Sequence, residues 1–445
     1  MTRARLCWVV AAVWAAGCGD PKLSFPPAKG VLLVGQHVSV VVTEGGDGSD
    51  LDESTFALQD AGGQRWDASS SDLELKRVSG DEISFSVPPG IAAGEATLSV
   101  NTSKGPTFES KATINRLMAV RDLSGKIWLL ALLGDGSAAQ FAEEAAGTFG
   151  FGFGQVAVGY KGRLLASTAR AKGEVRLAWI SSNLTPSPAH AFDAAVVISS
   201  VRVTAAGLTL VGTSNGTYVV EKPTTDPPGA LTVSSTPLPT GATVGLAVDG
   251  RGARAVAITD PGPGGTIQLA LLDLTASPPV LLQNLKTPWT GGAAERMSVA
   301  MSSDGRNILA VDGTGNRLAL FTEGNPSPIE EGAPLNEEGA AAVAASSDGN
   351  LFYVVNGKSK NVSRVQVGSG KIDFGSPLGL GGSISDLSGA PVDVAVSQND
   401  EVAILLERDI VLLYDKSTRA KTLGFPNLFK DKVGGEVGGG LAIQP

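Results

Sequence analysis

One short apolar motif recurs along the second two-thirds of this sequence and constrains its fold more than any other feature. Each copy is a run of three small or branched apolar residues, one of them interrupted by an arginine, and successive copies start 44 to 53 residues apart. The seven copies are residues 156–158, 201–203, 246–248, 299–301, 343–345, 394–396 and 441–443. A repeat of about this length is typical of proteins that arrange one small β-sheet per repeat around an axis.

Each of the first six copies is followed by a turn, a second strand-like segment, another turn and a third. Residues 342–367 show this best, because the apolar run 351–355 lies between two turns rich in Gly, Asn, Asp and Ser. Alternation of apolar and polar residues then marks 361–367 as a strand. The pattern predicts an antiparallel meander in every repeat.

The seventh copy is followed by no further strand-like segment. By contrast, residues 117–120, 127–133 and 138–143 read as three strands with no motif copy before them. We therefore expect residues 441–443 to form the innermost strand of the sheet that these three strands begin. A ring closed in this way leaves no open sheet edge, and residues 116–445 are predicted to form a seven-bladed β-propeller.

The residues that follow the motif carry a family resemblance. The pattern V-A-x-S-S-D-G-x-x-x-x-x-V at 299–311 and 343–355 resembles the YVTN-type propeller repeat, a family that includes lactonase-like and surface-layer propellers. The resemblance implies a propeller fold, and it does not imply one chemistry.

Residues 30–115 precede the repeats and read as a separate β-sandwich. Seven strand-like segments are expected there, at 31–34, 37–42, 55–58, 73–76, 83–87, 96–100 and 110–114. The run ISFSVPPGIAAGEATLSVNTSKG, which starts at Ile83, resembles the IPT/TIG family of immunoglobulin-like domains. The resemblance implies a spacer or a contact module. The fold class expected for the whole chain is therefore all-β.

The first residues have the layout of an export signal. Arg3 and Arg5 precede an apolar or small-residue run at 6–17, which is too short to span a bilayer as a helix. The sequence AAGC at 15–18 resembles a bacterial lipobox, and the resemblance implies that Cys18 carries lipid. The alternative is an ordinary signal peptide followed by a chance cysteine.

The cysteine count agrees with lipidation. Cys7 lies in the predicted signal peptide, residues 1–17, so the mature chain would keep Cys18 alone and could form no internal disulfide. Residues 18–29, polar and rich in proline, are predicted to be a tether. Gly19 replaces the aspartate of the inner-membrane retention signal, which favours an outer-membrane location in the cell envelope.

Composition argues against several classes of function. A net charge of −9 gives no basic stripe for nucleic acid. The two histidines, His37 and His190, are too few for a histidine metal cluster with catalytic partners, and His190 is expected in a surface loop. The Asp-Gly pairs at 249–250, 304–305 and 348–349 read as turns rather than calcium loops. No metal, no cofactor and no catalytic set is expected.

Binding is expected in the loops on one face of the propeller. The candidate ligand-binding residues there are Glu295, Arg296, Glu337, Glu338, Lys358 and Lys360. The function favoured by the sequence is a lipid-anchored, non-catalytic binding or scaffold protein whose propeller recognises an envelope protein or a glycan. The alternative is a lactonase-like hydrolase, which would need acid and base side chains converging on the channel.

Overall fold

The computed structural model is built almost entirely of β-strands. It describes residues 23–24, 31–42, 51–102, 107–122, 125–132, 138–143, 148–150, 153–180, 184–290, 297–325, 327–328, 330–334, 339–359, 361–368, 371–374, 391–397, 401–406, 411–414, 420–421 and 440–444. Apart from one turn of 3₁₀ helix at Arg170–Lys172, all the regular elements described are strands. The chain divides into two compact units, Met1–Leu117 with Ala131–Ala139, and Met118–Leu130 with Gln140–Pro445.

The first unit contains two sheets. Its strands are β1 (Leu23–Ser24), β2 (Val31–Leu33), β3 (His37–Val42), β4 (Leu51–Gln59), β5 (Arg65–Asp67), β6 (Lys76–Arg77), β7 (Glu82–Ser86), β8 (Gly94–Thr102) and the first part of β9 (Thr107–Arg121). One sheet has the order β1-β3-β7-β6, and the other has β5-β4-β8-β9 with β2 parallel to β9. Phe56 of one sheet and Phe85 of the other lie with ring centroids 4.9 Å apart. The alternating apolar residues of both sheets thus share one core.

Four details of this unit differ from the sequence expectation. β1 pairs with β3, so Leu23–Ser24 belong to a sheet, although they fall in the segment predicted to be a tether. β5 was not predicted. Of the strand expected at 73–76, only Lys76 lies in a strand. The strands expected at 110–114 and 117–120 are one continuous strand, β9, because no Gly or Pro interrupts the chain between them.

The second unit repeats a meander six times. After β10 (Ile127–Leu132) and β11 (Ala138–Glu143), its sheets are β12 (Val156–Gly159), β13 (Leu164–Ala169), β14 (Glu174–Trp179), β15 (His190–Ala191); β16 (Ile198–Val203), β17 (Thr209–Thr213), β18 (Gly216–Val220); β19 (Thr243–Val248), β20 (Arg254–Thr259), β21 (Thr266–Asp273), β22 (Val280–Thr290); β23 (Met297–Met301), β24 (Asn307–Asp312), β25 (Arg317–Thr322), β26 (Glu330–Pro334); β27 (Ala340–Ala345), β28 (Leu351–Asn356), β29 (Asn361–Gly368), β30 (Lys371–Phe374); and β31 (Pro391–Val396), β32 (Val402–Leu406), β33 (Val411–Tyr414), β34 (Ala420–Lys421). Strand β35 (Gly440–Ile443) follows.

Every predicted motif copy lies in the first strand of a sheet or in β35, so the strand assignments of the motif are confirmed. Within each sheet the strands pair antiparallel in chain order. His190 lies in the two-residue strand β15 rather than in a loop, because β14 offers it a free edge at Val175.

The S-S-D-G segments are turns between first and second strands, as predicted. Ser302 Oγ donates to Asp304 Oδ1 at 2.6 Å, and the backbone N–H of Arg306 donates to the same oxygen at 3.0 Å. Gly305 follows with φ of +74°, a conformation that glycine adopts without strain. Ser346 and Asp348 form the same arrangement at 2.6 Å. These carboxylates are thus engaged by their own turns.

The first strands of the sheets lie side by side in chain order. β12, β16, β19, β23, β27 and β31 each contact the next, and β35 contacts both β31 and β12. β35 also pairs antiparallel with the last residues of β9, placing Leu441 opposite Val120. In sequence order, β9 is followed by β10 and β11 in the same sheet. Successive meanders whose first strands neighbour one another define a β-propeller.

Candidate functional site in the central channel

One position in the first strands distinguishes a single sheet from the others. The middle residue of the motif is alanine in six copies, namely Ala157, Ala247, Ala300, Ala344, Ala395 and Ala442. These alanines suit a crowded position. Ala157, for example, shares a core cluster with Val201 and Val203 of the next first strand. In β16 the same position is Arg202.

The first strands line a cavity of about 640 Å³. That volume lies in the range of small-molecule pockets, roughly 300–1,000 Å³. Four charged side chains contribute to its lining, Arg170, Arg202, Asp260 and Asp393. Arg202 and Asp393 belong to first strands, whereas Arg170 and Asp260 follow the second strands β13 and β20.

In three of the described copies, the side chain of the residue before the motif accepts a hydrogen bond from the backbone of the next first strand. The backbone N–H groups of Val201, Val343 and Leu441 donate to side-chain oxygens in or just before the preceding first strand, at 3.3 Å to Gln155 Oε1, 3.3 Å to Ser298 Oγ and 2.9 Å to Asp393 Oδ2. An enclosed N–H group without an acceptor is costly, so these bonds satisfy the inner edge of the sheets.

Asp393 is a carboxylate enclosed by the channel. Its Oδ1 accepts the N–H of Val394 at 2.9 Å, and its Oδ2 accepts the N–H of Leu441. Burial raises the pKa of Asp393, an effect opposed by the Leu441 N–H, by the positive charge of Arg202 and by the Val394 N–H. The net rise in pKa shows that desolvation outweighs these three stabilising interactions of the charged form.

Arg202 is the matching cation. Its Nη1 donates to Val201 O at 2.8 Å. Burial lowers the pKa of Arg202, and the charge of Asp393 opposes that effect. Among the contacts that the structure describes, no ion pair within 4.0 Å joins the two residues, so they interact through space. Sequence reasoning missed this pair, although arginine in place of alanine in the motif was a visible signal.

Of the six loop residues predicted to bind a ligand, only Lys358 lies among the described residues. Lys358 lies exposed in the turn after β28 and is not part of the cavity lining. Glu295, Arg296, Glu337, Glu338 and Lys360 lie outside the described residues, as does Cys18. Their grouping into one site therefore stays a prediction.

Exposed apolar side chains lie beside the channel lining. Phe153 is 64% exposed and Val197 is 43% exposed. The backbone N–H of Arg170 donates to Phe153 O at 2.8 Å, and both Arg170 and Val197 line the cavity. We call Phe153, Arg170 and Val197 the 153–197 patch. It presents an aromatic ring, a cation and an aliphatic side chain to solvent.

The described residues hold neither a metal cluster nor a membrane helix. Within those ranges, no three His, Cys, Asp or Glu side chains come close enough to hold a metal ion. Over the same ranges, no helix has the length and apolar character needed to cross a bilayer.

Comparison with known proteins identifies the fold and nothing finer. By sequence, the chain matches no protein-family model and no curated protein. Among solved structures, a protein of unknown function from Desulfotomaculum acetoxidans DSM 771 is 14% identical, with a TM-score of 0.54 over 74% of this chain and 98% of its own. A candidate 6-phosphogluconolactonase from Bacteroides fragilis NCTC 9343 is 13% identical, with a TM-score of 0.50 over the same shares.

A third similar structure is the β-propeller domain of Myceliophteria thermophila Cps50 (Swd1), which is 12% identical with a TM-score of 0.48 over 68% of this chain and 90% of its own. Likeness at such identity concerns the fold alone. The strand order described above, together with the likeness to the two structures with TM-scores of 0.54 and 0.50, establishes the class: this is an all-β protein with a β-propeller fold.

Proposed function

We propose that the chain is a lipid-anchored protein of the cell envelope whose propeller binds a protein partner or a glycan without catalysis. The observation that carries the proposal is the 153–197 patch. Phenylalanine and arginine are enriched in protein interfaces, and a largely exposed Phe153 held on a sheet framework is suited to recognition.

The proposed architecture has two modules. Residues 30–115 form an immunoglobulin-like spacer, which is supported by two sheets sharing one core. Residues 116–445 form a seven-bladed propeller in which β35 is the innermost strand of the blade begun by β9, β10 and β11. The contacts of β35 with β31 and β12, and its pairing with β9, support this closure.

The proposed anchor is Cys18. Replacement Cys18→Ser is expected to abolish incorporation of labelled palmitate and to move the protein from the detergent phase to the aqueous phase. Replacement Cys7→Ser is the matched control and leaves both unchanged, because Cys7 lies in the segment that is removed. Unchanged partitioning of Cys18→Ser contradicts the anchor. Fractionation of the envelope then tests the outer-membrane location.

Crosslinking on intact cells tests the binding face. A photoreactive amino acid at Phe153 is compared with one at Leu282, which is 50% exposed on the outer strand β22. We expect one defined adduct at 153 and none at 282, with protease and glycosidase treatment showing whether the adduct is protein or glycan. Equal labelling at both positions would count against the 153–197 patch as a binding face.

A hydrolase is the second candidate, because Asp393 and Arg202 place a carboxyl group of raised pKa and a cation in one cavity. Both oxygens of Asp393 already accept backbone N–H groups, which favours a structural role. We expect no turnover of lactones by the purified chain. Turnover that disappears in Asp393→Asn would establish the hydrolase instead.

A further inference from the structure

We propose that the central channel is a binding site for a small carboxylate that also carries a hydrogen-bond donor, with Arg202 holding the carboxylate and Asp393 accepting from the donor. Such ligands include hydroxy acids and amino acids. The inference goes beyond the proposed function, because it concerns a small ligand held by Arg202 and Asp393, neither of which belongs to the 153–197 patch, although Arg170 and Val197 of that patch also line the cavity.

The Arg202 guanidinium has more hydrogen-bond donors than the described contacts use. A guanidinium has five N–H donors. Among the contacts that the structure describes, Arg202 uses Nη1 alone, toward Val201 O. The side chain lines the cavity and is partly buried, so its remaining donors face a space where acceptors must come from a ligand or from water.

The positive charge of Arg202 also favours an anion in the cavity. Partial burial disfavours a charge without a direct partner, and a carboxylate binds a guanidinium through two parallel hydrogen bonds. Asp393 lies close enough for electrostatic attraction but makes no ion pair with Arg202 among the described contacts. An anion seated against Arg202 would supply the missing direct partner.

The other charged residues of the lining indicate which class of anion fits the cavity. Asp260 and Asp393 also line the cavity, so the lining adds two negative charges to the two positive charges of Arg170 and Arg202. A doubly charged phosphate would be repelled by these carboxylates, whereas a carboxylate adds a single charge. The cavity therefore favours a monocarboxylate.

Asp393 can accept a hydrogen bond from a donor group of the ligand. Each carboxylate oxygen can accept about two hydrogen bonds. Asp393 Oδ1 and Oδ2 each accept one, from Val394 and Leu441, and so retain capacity for a ligand hydroxyl or ammonium group. The cavity of about 640 Å³ holds a metabolite-sized molecule.

The test uses the full purified chain, isothermal titration calorimetry and four probes: L-lactate, L-alanine, acetate and inorganic phosphate. We expect lactate or alanine to bind at millimolar concentration or below, acetate to bind about tenfold more weakly, and phosphate to bind weakest. Lactate against alanine separates a hydroxyl donor from an ammonium donor. The absence of binding by all four probes overturns the proposal, and preferential binding of phosphate overturns the carboxylate assignment.

Variants test the two residues. Arg202→Ala is expected to fold, because six first strands carry alanine at this position, and to weaken binding about tenfold or more. Arg251→Ala, at an exposed arginine in the turn after β19, is the matched control with unchanged affinity. Asp393→Asn is expected to bind the preferred probe and acetate with similar affinity. Wild-type affinity in Arg202→Ala overturns the site, whatever the result of crosslinking at Phe153.

Discussion

The inner and outer edges of the sheets are built under different constraints. The first strands are all four to six residues long and share one motif. The outer strands range from two residues in β15 to eleven in β22. In the β16–β18 sheet, isolated bridges to Val233 and Leu238 occupy the outer position.

The first strands are more uniform than the outer strands because the two kinds of strand have different neighbours. A first strand pairs with one strand and contacts two neighbouring first strands, and six of the seven carry alanine at the middle position of the motif. An outer strand pairs with one strand and carries exposed side chains such as the half-exposed Leu282, beside buried ones such as Trp289. Selection on sequence is therefore expected to be strong at the channel and weak at the rim. The four predictions below test this contrast.

Removal of β35 is expected to have the largest effect. Deletion of residues 440–445 uncovers the edge of β9 and removes the buried Leu441 and Ile443. We expect loss of the cooperative unfolding transition and aggregation on size-exclusion chromatography, because an open apolar edge pairs with other chains. A monomeric protein with a wild-type melting curve would contradict the role given to β35.

A single methyl group at the inner edge tests the packing directly. A Cβ at Gly440 would lie 2.7 Å from the backbone nitrogen of Val156, so Gly440→Ala is expected to cost about 1–3 kcal/mol in urea unfolding. Gly229→Ala, where the nearest contact of a Cβ is Thr225 Oγ1 at 3.8 Å, is the control and stays within about 0.5 kcal/mol. Equal effects would show that the inner edge is not specially crowded.

Loss of a side-chain acceptor at the inner edge is expected to be smaller. Gln155→Ala and Ser298→Ala each leave a channel-facing N–H, of Val201 or Val343, without its acceptor, at a cost of about 1 kcal/mol in urea unfolding. Their effects should add, because the two bonds join different pairs of sheets. Thr290→Ala, at an exposed end of β22, is the control. No loss in either variant would mean that water replaces these acceptors without cost.

Substitution at the outer edge should have the smallest effect. Leu282→Ser on β22 is expected to change the unfolding free energy by no more than about 0.5 kcal/mol, because half of the side chain is already exposed. A loss as large as that of Gly440→Ala would show that this edge is packed against something, and the contrast between the edges would fail.

The same contrast explains how much could be predicted from the sequence. The motif copies, the S-S-D-G turns and the pairing partner of β35 were found because short buried strands impose a period of two and a fixed residue size. The outer strands β15 and β34 could not be found, since two residues leave no periodic pattern. β5 was missed for the same reason, with three residues on the edge of its sheet.

The candidate site was the least predictable part. Attention to loop charges led to Lys358, which lies in a turn outside the cavity lining. Arg202 and Asp393 stand on strands, where a charged residue is first read as solvent-facing, and only the register of the first strands shows that they share a channel. Arg202 differs from six alanines at its position, so a comparison of repeats within the chain contains the signal.

The pairing of β35 with β9 also sets an order of events during biosynthesis. The two strands are separated by more than three hundred residues, and β9 leaves the ribosome long before Gly440 is translated. Until then β9 has an unpaired edge, and loop closure over such a distance is slow. Until β35 pairs with it, this edge of β9 is open to pairing with other chains.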